Sequence, residues 1–455
     1  MSLNVKKVLL YSTVFLGGVS TLIGCSNVGG NSTTVTEPNS GLEVLGDTIK
    51  YDPNKLVNNG EPIELEFYVW DDSAIKEIVE SYEALYPNVN IKIVVNPWDD
   101  YWTKLPLALS GNDGPALFNV HNSHHDNIIN YMAPYDIPLE DLTADFLGVE
   151  PHAIDGEVYY TDYGMMTGVI FYNKDLWAAA GLTDNDIPTT WDEFTKVAEK
   201  LTIKDGDKIT QAGFNMNGDF GNLLSGMPYQ LGQTLFDESG TKATVSTDKN
   251  VEVAQYFYDL YTEAGVGSGD FGTKAEESFG QGQSAMVYKW GHYNNTLLDK
   301  YPDINYGVFE VPTFTEQPFA YDRYNGESTF GINKNADEKE QAVAQDFIRY
   351  FLANDDLQKD LCLALSVFPN KYSLAEDADI QAHPIMSVLT DHIDHYIWPG
   401  TMPATIENTL KQVAENIIYN GMDIKAALED GEKTMNADLS KVDFVSSEAA
   451  YEYAE

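Results

Sequence analysis

Flat rings stand beside hydrogen-bonding side chains at the ends of several strand-like runs. Trp70, Asp71 and Asp72 close "PIELEFYVW", Trp98 follows "NIKIVVN", and Asn119, His121 and Asn122 close "ALFNVHN". Further on, "AGFNMNGDF" ends at Asn217, Asp219 and Phe220, and "SAMVYKW" ends at Trp290, with His292 and Tyr293 just beyond. A sugar offers C–H faces that stack on rings and hydroxyls that need paired donors and acceptors. Amides and carboxylates suit those hydroxyls, because an unpaired buried polar group costs ~1–3 kcal/mol. In open α/β sheets ligands gather at the carboxyl ends of strands, which is where these residues fall. A single aromatic carries little weight, since most rings serve cores and the chain holds 28 tyrosines.

Two rival chemistries start from the same residues. "HNSHHD", residues 121–126, holds four possible metal ligands in six residues and raises a zinc-binding reading. Zinc sites draw ligands from separated segments with firm spacing, and no second His-rich tract exists, so no metal is expected. The pairs Asp71/Asp72 and Asp99/Asp100 could serve glycoside hydrolysis, but that chemistry needs facing carboxyls, and neighbours are common among 71 acidic residues. No G-x-S-x-G, H-E-x-x-H or G-x-x-x-x-G-K-[ST] motif occurs, so no enzyme and no cofactor are expected. Cys362, in the apolar run "LQKDLCLALS", reads as a buried, inert thiol.

The elements that position these residues alternate. "PIELEFYVW" reads as a strand, and Ile75, Ile78, Val79, Tyr82 and Leu85 recur at helical spacing. "NIKIVVN" is a second strand, which makes a βαβ unit. After residue 165, "GVIFYN" is again a strand, Asp175 is the expected N-cap, and Gly181 supplies the positive φ that ends a short helix. Thr190 and Glu193 have capping-box spacing. Val253, Phe257, Leu260 and Tyr261 form a helix face ending near Gly265, and Val343, Phe347, Tyr350 and Phe351 form another. The fold class is therefore α/β, with mostly parallel sheets flanked by helices.

At 455 residues the chain exceeds one compact core, so two domains are expected. Lys6 and Lys7 precede the short apolar run "VLLYSTVFLGGVSTLI" and then "LIGC", which reads as a secretory signal over residues 1–24. This signal resembles that of bacterial lipoproteins, and the resemblance makes Cys25 the lipidated first residue of an extracellular, membrane-anchored chain. Residues 25–60 join Cys25 to the run beginning "SNVGGNSTTVTEPNSG" at Ser26, which reads as a flexible tether. The formal charge of −44 repels nucleic acid and anionic lipid, and nucleic-acid binding is excluded.

"YNKDLWAAAGLTDNDIPTTWDEFTKVAEKLT" resembles the corresponding segment of the extracellular solute-binding proteins of carbohydrate ABC transporters. Matches to "SYEALYPNVNIKIV", "LALSGNDGPALFNVHN", "FGQGQSAMVYKWGHYNN", "NYGVFEVPTF" and "MPATIENTLKQVAENIIYNGMDIKAALED" fall in the family's order. Two departures stand out: Ala116 where the family has an aspartate, and Asp162 where it has a proline. The resemblance implies two α/β lobes around a ligand cleft, with residues 61–165 and 314–366 in the first and 167–312 and 370–455 in the second. Crossings are then expected near Met165–Thr167, Val311–Phe314 and residues 366–372. It also implies a mono- or oligosaccharide ligand, permease subunits as partners and a monomeric receptor. Tyr293 or Trp290 falls at the family's stacking position, and Asp162, Tyr163, Glu327 and Trp398 complete the ligand-binding candidates.

Overall fold

Alternation of side chains in "IELEFYV" buries Leu65, Phe67 and Val69 on one face of the strand Ile63–Val69, β1. A computed structural model describes residues 38–450 apart from 73, 112, 113, 273 and 443. The signal segment 1–24, the lipidation site Cys25 and the start of the expected tether lie outside the described residues. Beyond β1 come β2 (Val89–Val95), β3 (Leu117–Asn119), β4 (Met132–Ala133), the hairpin β5 (Ala153–Ile154) with β6 (Glu157–Val158), and β7 (Asp162–Asn173). The hairpin β8 (Ile203–Asp205) with β9 (Lys208–Gln211) follows. Then come β10 (Met286–Trp290), β11 (Tyr306–Phe309), β12 (Tyr324–Ser328), β13 (Phe330–Asn333) and β14 (Phe368–Pro369).

The first lobe is built on the sheet β2-β1-β3-β13-β4. β1 pairs in parallel with β2 and β3, as the βαβ reading requires, and β13 returns antiparallel between β3 and β4. The helix Ile75–Leu85 buries Ile75, Ile78, Val79 and Tyr82 against it. The helix Glu338–Ala353 buries Val343, Phe347, Tyr350 and Phe351, with the Phe347 ring 6.0 Å from Phe67.

β7 joins the lobes. Its first half pairs with β12 and β14, and its second half with β10 and β11. All four pairings are antiparallel, so the second lobe's sheet departs from the expected parallel arrangement. The reason is topological: β7 enters from the crossing and runs outward, whereas β10 runs back toward it. Parallel pairing there is limited to isolated bridges such as Asn215 with Val287. The second core gathers Trp191, Phe194, Phe257, Leu260 and Met286, with Ile406, Leu410 and Val413 from the helix Ala404–Ile418.

Several local expectations shift. Asn173, not Asp175, caps the helix Lys174–Ala179, its Oδ1 accepting from Asp175 N and Leu176 N at 3.0 and 3.1 Å. Asp175 instead accepts from Asn305 Nδ2 at 2.8 Å. Gly181 takes the positive φ of 75°, and the Thr190/Glu193 box is formed. Thr313 still bridges Thr190 and Phe314 packs on Trp191, so first-lobe pairing resumes only at Tyr324, later than Val311–Phe314. Ile380, Ile385, Met386 and Leu389 join the core that contains the first sheet, although residues 370–455 were expected wholly in the second lobe.

The end of the expected tether is also no tether. Ile49, Tyr51 and Val57 are buried in the first lobe's core. Asp145 accepts from Thr48 N and Ile49 N, and Tyr51 Oη donates to Asp346 Oδ2 at 2.8 Å. Apolar residues spaced through the polar run dock it as a strap.

Candidate functional site

The carboxyl end of the first sheet carries a cluster of rings. β1 delivers Trp70, and the helix Trp98–Leu109 presents Trp98, Tyr101 and Trp102, whose i, i+3 and i+4 spacing puts them on one face. Trp70 lies 5.1 Å from Trp98 and 5.7 Å from Trp102, and Trp98 lies 5.3 Å from Trp102. His121 meets Trp98 edge-on at 5.1 Å, and His124 stacks on Trp102 at 4.0 Å with an interplanar angle of 8°. Tyr101 Oη donates to the Asn119 carbonyl at 2.7 Å, which ties this helix to β3. Trp98 remains 40% exposed and forms the open edge of the shelf. Trp102 was not among the sequence candidates and His124 entered only through the metal reading; the i+4 spacing in "WDDYWTK" is the signal that could have found Trp102.

Burial holds the shelf's histidines neutral. The His121 ring is pushed down to about 4 by burial, with the neighbouring His124 adding and Asp162 opposing. Burial also lowers His124 and His125. Their rings diverge, His125 Nδ1 lying 3.0 Å from Tyr160 Oη, and among the described residues no three metal-ligand side chains converge. Asp71 and Asp72 lie exposed at the end of β1. Asn119 is buried behind the shelf.

The crossing strands form the floor. Asn122 Nδ2 donates to Asn325 Oδ1 at 2.9 Å and to the Gly326 carbonyl at 3.2 Å, joining the shelf loop to β12. Residues paired across antiparallel strands point to the same side. Asn325 lies opposite Met166 and Trp290 opposite Gly168, which puts the three side chains on one face of the crossing sheet. Glu327 follows Asn325 by two, and its carboxyl is pushed up to about 7 by burial and then by the Asp162 charge. Asp162 is buried, 2.9 Å from His152 Nε2, and accepts from Ser328 Oγ at 3.0 Å. Trp398 stacks at a tilt on His152, 4.8 Å away, and is buried, so it is not an open wall. Tyr163 is likewise buried, its ring edge-on to Phe351.

The second lobe contributes charge and one exposed edge residue, His292. Asp219 and Lys289 pair at 3.0 Å, and Lys289 also reaches Glu276 at 3.3 Å. Burial raises the Asp219 carboxyl and Lys289 opposes that rise. These residues line a cavity of about 360 Å³ with Gly218, Lys411 and Tyr419. Asn217 is spent on structure, its Nδ2 donating to the carbonyls of Ser268 and Phe271, each at 3.0 Å. Phe220 belongs to the core. Tyr293 is a correction. It is 1% exposed, its ring edge-on to Phe171 at 5.1 Å and its hydroxyl donating to the Glu276 carbonyl, so it cannot stack on a ligand. His292, one residue earlier, is exposed, its Nδ1 3.4 Å from Met166 Sδ.

This arrangement offers ring surface, amides and paired charges rather than a nucleophile set against a base.

The chain is similar to the arabinooligosaccharide-binding protein of Bacillus subtilis (strain 168), 24% identical over 352 residues that cover 71% of this chain and 77% of that protein. Among solved structures it resembles the cyclic alpha-maltosyl-1,6-maltose binding protein of Arthrobacter globiformis, with TM-score 0.68 and 20% identity over 84% of this chain and all 100% of that one. It also resembles UgpB of Mycobacterium tuberculosis in complex with glycerophosphocholine, with TM-score 0.69 and 17% identity over 83% and 99% of the two chains. A family model for the bacterial extracellular solute-binding protein matches residues 70–358, more than half of the sequence, and the chain belongs to that family.

Proposed function

We propose that this protein captures a sugar or oligosaccharide outside the cell and delivers it to the permease of an ABC importer, without breaking a bond in it. The observation that carries this reading is the shelf of Trp70, Trp98 and Trp102 set directly against the amides of the crossing strands. Rings stack on sugar C–H faces, and the half-buried Asn325 amide, braced by Asn122, offers a donor and an acceptor for hydroxyls. The names of the arabinooligosaccharide- and cyclic maltosyl-maltose-binding relatives support the same ligand class. Mechanistically, a sugar touching both lobes favours the closed state by its differential affinity for that state, and the permease then reads closure. In this proposal the export signal and Cys25 place a monomeric receptor on the outer face of the membrane, held by lipid.

Isothermal titration of the chain from residue 25 against mono- and oligosaccharides tests the reading, with the mixture analysed afterwards by chromatography. Tight binding with the sugar recovered intact is expected. Silence across the panel, or release of cleaved products, would overturn it.

A further inference from the structure

Of the 27 lysine and arginine residues in this chain only two are arginine, Arg323 and Arg349. Arg349 lies toward the surface and pairs with Asp136 at 3.1 Å. Arg323 is 6% exposed and takes part in no ion pair among the described residues. Its Nε donates to Ser225 Oγ at 2.7 Å, and its guanidinium carbon sits 4.8 Å from the centre of the Trp290 ring. A guanidinium carries five N–H donors. The four on the terminal nitrogens engage no acceptor among the described residues.

The neighbouring carboxylate does not answer this charge. Asp322 accepts from Tyr288 Oη and from the Arg323 backbone N–H, each at 2.7 Å, so both its oxygens are engaged. Burial lifts its carboxyl to about 7 despite the arginine beside it. A second donor stands unused nearby: Trp290 Nε1 is buried and bonded to nothing among the described residues. A buried cation without a hydrogen-bonded anion is among the costliest features a fold can hold.

Position connects this pair to the ligand site. Trp290 ends β10 where that strand reaches the crossing. Arg323 precedes Asn325 by two residues in an extended run, on the side that faces Asn122 of the shelf loop. Arg323, Trp290 and Asn325 therefore share the floor.

We infer that the ligand carries a carboxylate, as a uronic-acid sugar does, and that the Arg323 fork binds it with Trp290 Nε1 as an added donor. The inference rests on the sugar-capturing reading and narrows it. A planar guanidinium matches a carboxylate with two parallel hydrogen bonds, which a lysine cannot do. The overall charge of −44 opposes an anion at long range. That field decays over about 8 Å at physiological salt, so contact hydrogen bonds decide affinity once the ligand is seated. Added salt should then speed association with the acidic sugar rather than slow it.

The test is titration of the chain from residue 25 with matched pairs of probes. Glucuronoxylo-oligosaccharides are set against the same xylo-oligosaccharides without the acid, and oligogalacturonates against galacto-oligosaccharides. At least one acidic probe should bind about tenfold to a hundredfold tighter than its neutral counterpart. Arg323→Gln should abolish that preference and Arg323→Lys should keep part of it. Trp290→Phe keeps a ring under the guanidinium and should lower the ratio of acidic to neutral affinity, with an unchanged melting temperature. If Arg323→Gln fails to fold, the acid-to-neutral ratio of Trp290→Phe decides. Equal binding within every pair, or an acid-to-neutral ratio undiminished in Trp290→Phe, overturns the inference and leaves the sugar reading standing. Silence from both members of every pair overturns both.

Discussion

Trp98 and Tyr293 are both aromatics that follow a strand, yet they stand in opposite circumstances. Trp98 keeps 40% of its surface open, and its ring meets Trp70, Trp102 and His121 edge-on, leaving a face available. Trp98→Ala should weaken sugar binding at least about tenfold, the loss expected for a stacking ring. Its stability should change by no more than about 1 kcal/mol, because the side chain is far from fully buried. Tyr293→Ala should do the reverse. Removing a ring wedged between Phe171 and Phe279 should cost about 3–5 kcal/mol of stability in a denaturant melt. Any drop in binding would then track the unfolded fraction. A stable Tyr293→Ala protein with lost affinity would put that ring back in the site, and unaltered affinity in Trp98→Ala would remove the shelf from it. Reading from strand ends therefore named rings that the fold brings near the crossing, but not which of them is open. Exposure depends on what packs from elsewhere in the chain, here Phe171 from β7 and Phe279, and no local pattern encodes that.

Among elements, the segment 38–60 shows the largest gap between composition and structure. Its Asn, Ser and Gly content gives it the look of a linker, but Ile49, Tyr51 and Val57 fill the core, and Tyr51 joins Tyr82 and Asp346 in one polar cluster. Burying such side chains contributes ~1.5–3 kcal/mol each. A chain that begins at residue 61 should therefore melt well below one that begins at residue 38, by several degrees in a thermal scan. Equal melting temperatures would mean that the segment only rests on the lobe. The regular elements were easier to read. Helices with a clear apolar stripe, such as Glu338–Ala353, buried the residues their spacing named. Direction within the second sheet was not legible, because pairing partners more than about a hundred residues apart, such as Met286 and Tyr172, leave no trace in a local window. Arg323 was passed over for a related reason. It sits just before a strand, and only the contact with Trp290 across the crossing gives it meaning.

At the scale of the whole molecule, a charge of −44 and a set of buried acids pull stability in the same direction with pH. Asp322, Glu327 and Glu448 are each raised to about 7 by burial, whereas unfolded carboxyls titrate near 4. Between those values these acids bind more protons in the folded than in the unfolded chain, so their contribution to stability falls as pH rises through about 7. The buried histidines, led by His121 held down to about 4, offset part of that fall below about 6.5. Surface repulsion among the remaining carboxylates adds to that fall. Below about pH 4 the trend reverses, because Asp186, Glu193 and Asp438 are held below their usual range by hydrogen bonds and are protonated there at a cost. The melting temperature should accordingly be several degrees higher near pH 5.5 than near pH 8, and drop again toward pH 3.5. Salt separates the two contributions. Raising sodium chloride to about 0.5 M screens surface repulsion and should lift the melting temperature at pH 8, but the part due to buried acids should persist. Glu448 isolates one of these, since its carboxylate accepts from Tyr229 Oη and from the Leu235 and Phe236 backbone N–H groups. Glu448→Gln cannot titrate, so its melting curve at high salt should be flatter between pH 5.5 and 8 than that of the unaltered chain. A melting temperature that climbs from about pH 5.5 to 8 in high salt would show that these carboxyls are ionised in the folded state throughout, and that burial does not govern them.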